Sequence, residues 1–419
     1  MSIKYSEEFI RSKREELSFL SSLVTTALPV YDSQKWDYLE FIEYKFKLMQ
    51  QIRSEKIRNI TEPVTKRTPR SFKWGDFSYQ YLYQRQGLSI TLNEELISYP
   101  IKTVVEVNFE YFTSSGQSAT LCVFEFIKNE LPKLVLKSLE NNSRYYESDK
   151  IIQLCNIQTD KDGKCFFYDG TFSYSLNWLK ENLKGMDLFV FDTTLFSYGQ
   201  AELQEIIEYL SVVNIPTILI RSHLKLDSLG AEFSSLGSVS ALNMNGLATL
   251  ESGRGCKTAI ASYLSLTGSY ATIDQMYPFL GNSQFVSITS HRCERMRKFG
   301  KVLTANLESL INEQSYPFSI LKTWHSYYFY LEYPSSIEVS MQNEFEKIKI
   351  ISGVPAFYCD SFGFDFLAFT CVPVLNKQTN NYLYRFSTPD LGLESMDSII
   401  DFFAIFLKNL NDKVTKLSL

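Results

Sequence analysis

Two charged stretches open the chain with apolar residues at helical spacing. In 8–24 (EFIRSKREELSFLSSLV) and 34–57 (QKWDYLEFIEYKFKLMQQIRSEKI) apolar positions recur every three or four residues, which predicts two amphipathic helices. The basic stretch 63–74 (PVTKRTPRSFKW) carries two prolines and reads as a loop or linker. From about Thr103 the rhythm changes. KTVVEVNFEYF (102–112) reads as a strand, SSGQSATLCVFEFIKNE (114–130) as a helix entered at a Ser-Gly corner, and LPKLVLKSL (131–139) as another strand. MDLFVFD (186–192) and IPTILIRSH (215–223) are near-continuous apolar runs on either side of the amphipathic AELQEIIEYLSVV (201–213). Such runs, separated by a helix, predict parallel strands buried on both faces and joined by right-handed crossovers. After about residue 285 a long helix (295–313) is followed by the strands SYYFYLEYP, DFLAFTCVPVL and NYLYRFS and a closing amphipathic helix, SMDSIIDFFAIFLKNLNDKV. The expected architecture is a three-layer α/β fold with a mainly parallel sheet plus a smaller α+β C-terminal domain. The expected division is a helical arm over 1–65, a large domain over 66–285 and a small domain over 286–419.

Composition narrows the chemistry. A net charge of -5 argues against a nucleic-acid binder, which usually carries a basic excess. The seven cysteines include no C-x-x-C pair, and the three histidines (His223, His291, His325) are too far apart for H-E-x-x-H chemistry, so no metal site is expected. There is no apolar stretch of the ~20 residues a membrane span needs, and the charged N-terminus lacks a signal core. A reducing cytoplasm is the expected location. A chain so poor in histidine would draw its chemistry from elsewhere, and a bound organic cofactor is one source.

Three strand ends carry suggestive groups. Ser114-Ser115-Gly116-Gln117-Ser118-Ala119 stands between a strand and a helix, where free backbone N–H groups and the helix dipole favour an anion. Asp192 closes an apolar strand, a costly place for an acid without a partner. Lys225 lies just past the next strand, in Ser222-His223-Leu224-Lys225, where an amine can form a Schiff base with a carbonyl cofactor. Each alone reads equally as a helix cap, a loop acid or a surface lysine. In this order they form the layout for pyridoxal 5'-phosphate: an anion corner for the phosphate, Asp192 for the pyridine nitrogen, and Lys225 as covalent anchor and general base. The GxGxxG fingerprint of a Rossmann dehydrogenase is missing.

At these residues the chain resembles fold-type I pyridoxal-phosphate enzymes, and more narrowly the Cys/Met-metabolism family of cystathionine γ-synthase and methionine γ-lyase. That family's S-G-M-A corner is similar to Ser115-Gly116-Gln117-Ser118-Ala119. Its V-D-N-T-F resembles Phe191-Asp192-Thr193-Thr194-Leu195, and its S-x-T-K resembles Ser222 to Lys225. An early Y-S-R is matched by Tyr83-Gln84-Arg85, and a late R-x-S-x-G-x-E by the stretch Arg385 to Glu394, with three extra residues. The resemblance covers about 80–410. It implies cofactor contacts from Ser115, Gly116, Gln117, Asp192, Thr194, Ser222 and Lys225, with Tyr83 and Arg85 reaching the phosphate of a neighbouring subunit. Arg385 would clamp the substrate carboxylate. The family's ring-stacking tyrosine has no equivalent motif here, and Tyr146 is the preferred candidate. Leu224 stands where the family has a phosphate-binding hydroxyl, and Thr193 where it has Asn.

The resemblance implies catalytic roles for Lys225, Asp192 and Tyr83, an amino-acid substrate, and a homodimer or homotetramer with shared sites. No nucleic-acid or membrane partner is expected. The expected activity is a lyase, γ-elimination or γ-replacement. An aminotransferase is the alternative, and a non-catalytic descendant of the fold is a second.

Overall fold

A computed structural model of the chain describes residues 5–26, 31, 36–58, 70–74, 77–81, 88–90, 98–99, 107–138, 145–171, 174–247, 253–272, 274–333, 338–375 and 381–417. Its contacts divide into two units. One holds residues 50–228 and 232–290; the other holds 1–49, 229–231 and 291–419.

The N-terminal amphipathic runs form α1 (Glu7–Ser21) and α2 (Tyr38–Arg58). Ser6 caps α1 by accepting a hydrogen bond from the Phe9 amide, and Glu7 and Glu8 complement its dipole. The stretch 70–74, expected as loop, is instead a strand. β1 (Arg70–Trp74) pairs antiparallel with β2 (Phe77–Tyr81), which pairs with β3 (Leu88–Ile90). Phe72 and Trp74 alternate with Ser71 and Lys73, a strand pattern that the flanking prolines and charge obscured.

The first unit is built on a seven-stranded sheet. Its strands and helices follow in the order β4 (Val107–Thr113), α3 (Gly116–Glu130), β5 (Leu136–Lys137), α4 (Tyr146–Leu154), β6 (Thr159–Asp160), β7 (Cys165–Tyr168), α5 (Leu176–Leu183), β8 (Leu188–Asp192), α6 (Ala201–Val213), β9 (Thr217–Ser222), β10 (Gly237–Leu242) and α7 (Cys256–Leu266). The spatial order is β4-β10-β9-β8-β7-β5-β6. β5 through β9 pair in parallel, and β10 runs antiparallel to both β9 and β4. The expected mainly parallel sheet is therefore present, with one reversed strand. Val190, Ile220 and Val239 of the sheet bury against Val123, Phe124 and Ile127 of α3 and Ile260 of α7. Full burial of each such side chain contributes roughly 1.5–3 kcal/mol.

The second unit continues with α8 (Ser283–Glu313, whose first turns belong to the first unit), β11 (Ser319–Lys322), β12 (Tyr328–Tyr333), α9 (Glu338–Ser352), β13 (Ala356–Tyr358), β14 (Leu367–Leu375), β15 (Tyr382–Ser387) and α10 (Met396–Leu417). The five strands form a second, smaller sheet in the order β11-β12-β15-β14-β13. Phe329, Phe369 and Phe386 stack across adjacent strands, and Phe345, Phe402, Phe403 and Phe406 of α9 and α10 close over them.

The same unit also buries a charge cluster. Lys13 meets Glu16, Asp365 and Asp390 at 3.1, 2.7 and 2.5 Å. Lys45 meets Glu16 and Asp365 at 2.5 and 2.7 Å. Arg292 reaches Asp365 and Asp390, each at 3.1 Å, and Arg295 reaches Asp390 and Glu16. Oxygens of Glu16, Asp365 and Asp390 lie within 4.8 Å of one another, but these ammonium and guanidinium groups already surround them. Burial opposes ionisation of Asp365, yet Lys13, Lys45 and Arg292 outweigh it and hold the carboxyl well below its usual range. Removing one member of such a cluster strands opposite charges in a dry interior.

Asp365→Ala is therefore expected to lower stability by about 3–5 kcal/mol, measured by denaturant unfolding at neutral pH. A depressed carboxyl adds stability that is complete above its unfolded-state value of about 4 and is lost as pH falls through the folded one. The wild-type chain should lose more stability than Asp365→Ala between pH 5 and strongly acid conditions, since the variant lacks that contribution.

Candidate functional site

Five candidate residues of the first unit, Ser115, Gly116, Asp192, Thr194 and Ser222, meet at the carboxyl ends of β4, β8 and β9. These are where an open α/β sheet offers its ligand crevice. β4 ends at Thr113, and the chain turns through Ser114 and Ser115 into α3. Ser115 caps that helix, its hydroxyl accepting from the Ser118 amide at 3.0 Å. Hydroxyls of Ser114 and Ser115 each lie 2.9 Å from that of Ser118. Gly116 opens the helix against the end of β9. A Cβ on Gly116 would lie 2.6 Å from the Cβ of Ser222, so only glycine permits this approach. Two motifs more than a hundred residues apart thus touch.

Asp192 ends β8 beside that corner. Its Oδ1 accepts from the Thr194 amide at 2.9 Å, and Thr194 Oγ1 accepts from the Ser222 amide at 2.9 Å. Ser115, Gly116, Asp192, Thr194 and Ser222 are therefore joined by short links. Burial pushes the Asp192 carboxyl up to about 6, against the lowering effect of Thr194; Asp169 raises it further and Arg221 lowers it slightly. No ion pair to Asp192 is formed among the described residues. Lys225 is half-buried in the turn between β9 and the 3-10 turn Leu226–Ser228.

A buried triad shapes that turn. Arg221 Nε and Nη2 each donate to Asp227 at 2.7 Å. Its Nη1 donates to the carbonyls of Thr193 and Phe196 at 2.9 and 2.8 Å. His223 Nδ1 lies 2.7 Å from Asp227 Oδ2, and Nε2 lies 3.0 Å from Ser238 Oγ. Burial opposes ionisation of Asp227, but Arg221 and His223 outweigh it and hold the carboxyl at about 2. Burial lowers the His223 value and so favours the neutral ring, in which Nδ1 donates to the acceptor-only Asp227 and Nε2 accepts. His223 is thus a packed, satisfied side chain.

Other candidates stand differently. Gln117 is exposed and donates to Glu147 Oε2 at 2.9 Å. Arg385, on β15 of the other unit, donates through Nη2 to the carbonyl of Asp360 and to Thr370 Oγ1 at 2.6 and 3.2 Å. Its guanidinium lies 5.6 Å from the Tyr328 ring centroid. Tyr83 and Arg85 lie outside the described residues, as does the side chain of Tyr146, whose backbone opens α4. The sequence reading passed over Arg221, Asp227 and Asp169. Asp169 follows the apolar CFFY of β7 as Asp192 ends LFVF of β8, so the signal that singled out one acid also marks the other.

No family model matches the sequence, and no curated protein matches it. Solved structures do match in fold. Cystathionine γ-synthase from Xanthomonas oryzae pv. oryzae, solved in complex with cystathionine, aligns at 14% identity with a TM-score of 0.53, covering 84% of this chain and 93% of that one. An aromatic amino acid aminotransferase from Psychrobacter sp. B6 aligns at 12% identity and a TM-score of 0.49, over 86% and 88% of the two chains. A methionine γ-lyase from Micromonospora echinospora aligns at 12% identity and 0.47, over 72% and 82%. The chain has the α/β fold of the fold-type I pyridoxal-phosphate enzymes.

An acid held near 6 releases its proton later than in the unfolded chain. Between pH 4 and 6 the native state binds the extra proton, so stability should fall as pH rises across that window and level off above it. Asp192→Asn should remove that fall, read from denaturant unfolding at stepped pH. Arg221→Lys should destabilise by about 2–4 kcal/mol in the same assay, because an ammonium cannot replace a fork that serves one carboxylate and two carbonyls.

Proposed function

We propose that the chain is a pyridoxal-phosphate-dependent enzyme acting on an amino acid. The observation that carries this reading is the meeting of Gly116 with Ser222, and of both with Thr194 and Asp192, at one sheet end. The residues fit the cofactor. The helix start at Ser115-Gly116 offers backbone N–H groups and hydroxyls to a phosphate with no Cβ in the way. Asp192 has a half-buried carboxyl suited to a protonated ring nitrogen. When bound, the cofactor supplies an electron sink for charge at the substrate α-carbon.

The chain's own residues then divide the work. Ser115, Gly116, Gln117, Thr194 and Ser222 bind and orient the cofactor. Asp192 holds the proton at the ring nitrogen. Lys225 Nζ anchors the cofactor carbonyl and moves the α-proton of the substrate. Arg385 takes the substrate carboxylate, and Tyr146 covers the ring. Tyr83 and Arg85 complete the site of a second copy of the chain, which makes the working unit a dimer or tetramer. Elimination or replacement at the γ-carbon is the favoured chemistry, supported by the early Tyr-x-Arg and late Arg-x-Ser pattern of the sequence.

The purified chain should turn yellow with pyridoxal 5'-phosphate, and borohydride should fix the cofactor to the peptide bearing Lys225. Lys225→Ala should do neither; a colourless wild-type chain would defeat the reading. With an amino acid as sole substrate, sustained release of ammonia and a keto acid supports elimination. Stoichiometric conversion to the pyridoxamine form, with no further turnover, would assign the chain to the aminotransferases. Mixing Lys225→Ala with Arg85→Ala chains should restore part of the activity that each lacks, and no recovery would count against shared sites.

A further inference from the structure

A second acid stands beside Asp192. β7 and β8 run parallel in register, with Tyr168 opposite Phe191, so Asp169 just past β7 and Asp192 at the end of β8 share one sheet end. Asp169 is 3% exposed. Its Oδ2 accepts from the Tyr145 amide at 2.7 Å and its Oδ1 from the Thr171 amide at 3.0 Å. Tyr145 is the residue that caps α4, and its own side chain makes no capping bond. The entry to α4 is therefore held by a carboxylate from the sheet. A second tie, from Gln117 to Glu147, joins the first turn of α4 to the first turn of α3, whose opening glycine abuts Ser222.

We propose that Asp169 is a positioning residue of this site, pinning the Tyr145–Tyr146 corner to the strand ends and holding a second negative charge beside Asp192. The inference rests on the cofactor reading above only for what the corner covers. Among the described residues, the charged and titratable groups that act on Asp192 include Asp169 from the β7 end, Arg221 from β9, and the Tyr99 hydroxyl. Arg221 is committed to Asp227 by two hydrogen bonds, while Asp169 acts on Asp192 as a like charge. A negative neighbour favours the protonated form of Asp192. A proton is then at hand for whatever basic group meets that carboxyl.

The test uses the full chain with Asp169→Asn and Asp169→Ala, and thermal unfolding to confirm that each variant folds. In the cofactor-free protein, carboxyl carbon NMR follows Asp192 and amide exchange follows Tyr145. Both variants should shift the Asp192 titration midpoint downward, because each removes the neighbouring charge. Tyr145 exchange should quicken about 10-fold or more in Asp169→Ala, the loss of one charge-assisted hydrogen bond. Asp169→Asn keeps one acceptor oxygen and should recover part of the protection. A merely structural role would leave the Asp192 midpoint in place. With pyridoxal 5'-phosphate added, the circular dichroism of the bound cofactor should weaken in Asp169→Ala and persist in Asp169→Asn. An unmoved midpoint together with unchanged exchange would overturn the proposal. A wild-type chain that binds no cofactor would defeat the functional reading instead, and the cofactor-free measurements would still decide the role of Asp169.

Discussion

The bidentate bond between Arg221 and Asp227 is the contact on which the strand-end site depends. Arg221 ends an apolar strand, deep among Tyr99 and Tyr198, whose ring centroids lie 5.8 and 4.8 Å from its guanidinium carbon. A cation there is tolerable only if every donor finds a partner. Two donors fix Asp227 and a third reaches the carbonyls of Thr193 and Phe196. The loop after Asp192, the strand end at Ser222 and the turn bearing Lys225 are thereby referred to one planar group. A planar fork transmits orientation in a way that a point charge does not.

The second unit solves a similar problem on a larger scale. Lys13, Glu16 and Lys45 come from α1 and α2, Arg292 and Arg295 from α8, and Asp365 and Asp390 from the loops around β14 and β15. Hydrophobic packing alone would tolerate many registers among these elements. Seven interlocked charges do not, since sliding any one helix by a residue leaves a buried ion without its partner. The aromatic layer supplies the driving force for that unit and the charges supply its register. Residues 1–49 accordingly group with 291–419 in one unit, across more than two hundred intervening residues.

Much of this was legible in the sequence where a pattern is local. LFVFD and TILIRS announce buried strands because every residue but the last faces protein. The helices of 201–213 and 396–417 announce themselves by period. β10 (GSVSAL) escaped notice because its glycine and two serines resemble a loop, although all six residues are buried. They are small because neighbours crowd them: a Cβ on Gly237 would lie 2.4 Å from the Ser115 carbonyl oxygen. At the site, Gly116, Asp192 and Ser222 were legible as strand-end chemistry. The charges that support them were not, because Arg221, Asp227 and the seven-membered cluster acquire meaning only from partners that folding supplies. An isolated charge in a sequence gives no sign of whether it will be solvated or locked.

The same logic explains how an acid at the sheet end can remain available. Asp192 lies near enough to Arg221 to feel its charge, and an arginine that close would ordinarily claim a carboxylate as a salt-bridge partner. Here Asp227 takes the guanidinium fork and His223 completes its hydrogen bonds, while the remaining donor is spent on backbone carbonyls. Asp192 has the side chain and amide of Thr194 as hydrogen-bond partners and a like-charged neighbour in Asp169. Its ionisation is thus held back by burial and repulsion, and a cationic ring nitrogen arriving from outside would relieve both at once. In the proposed reading, the buried pair behind the site draws away the resident counter-charge so that the place of the counter-ion is kept for the cofactor.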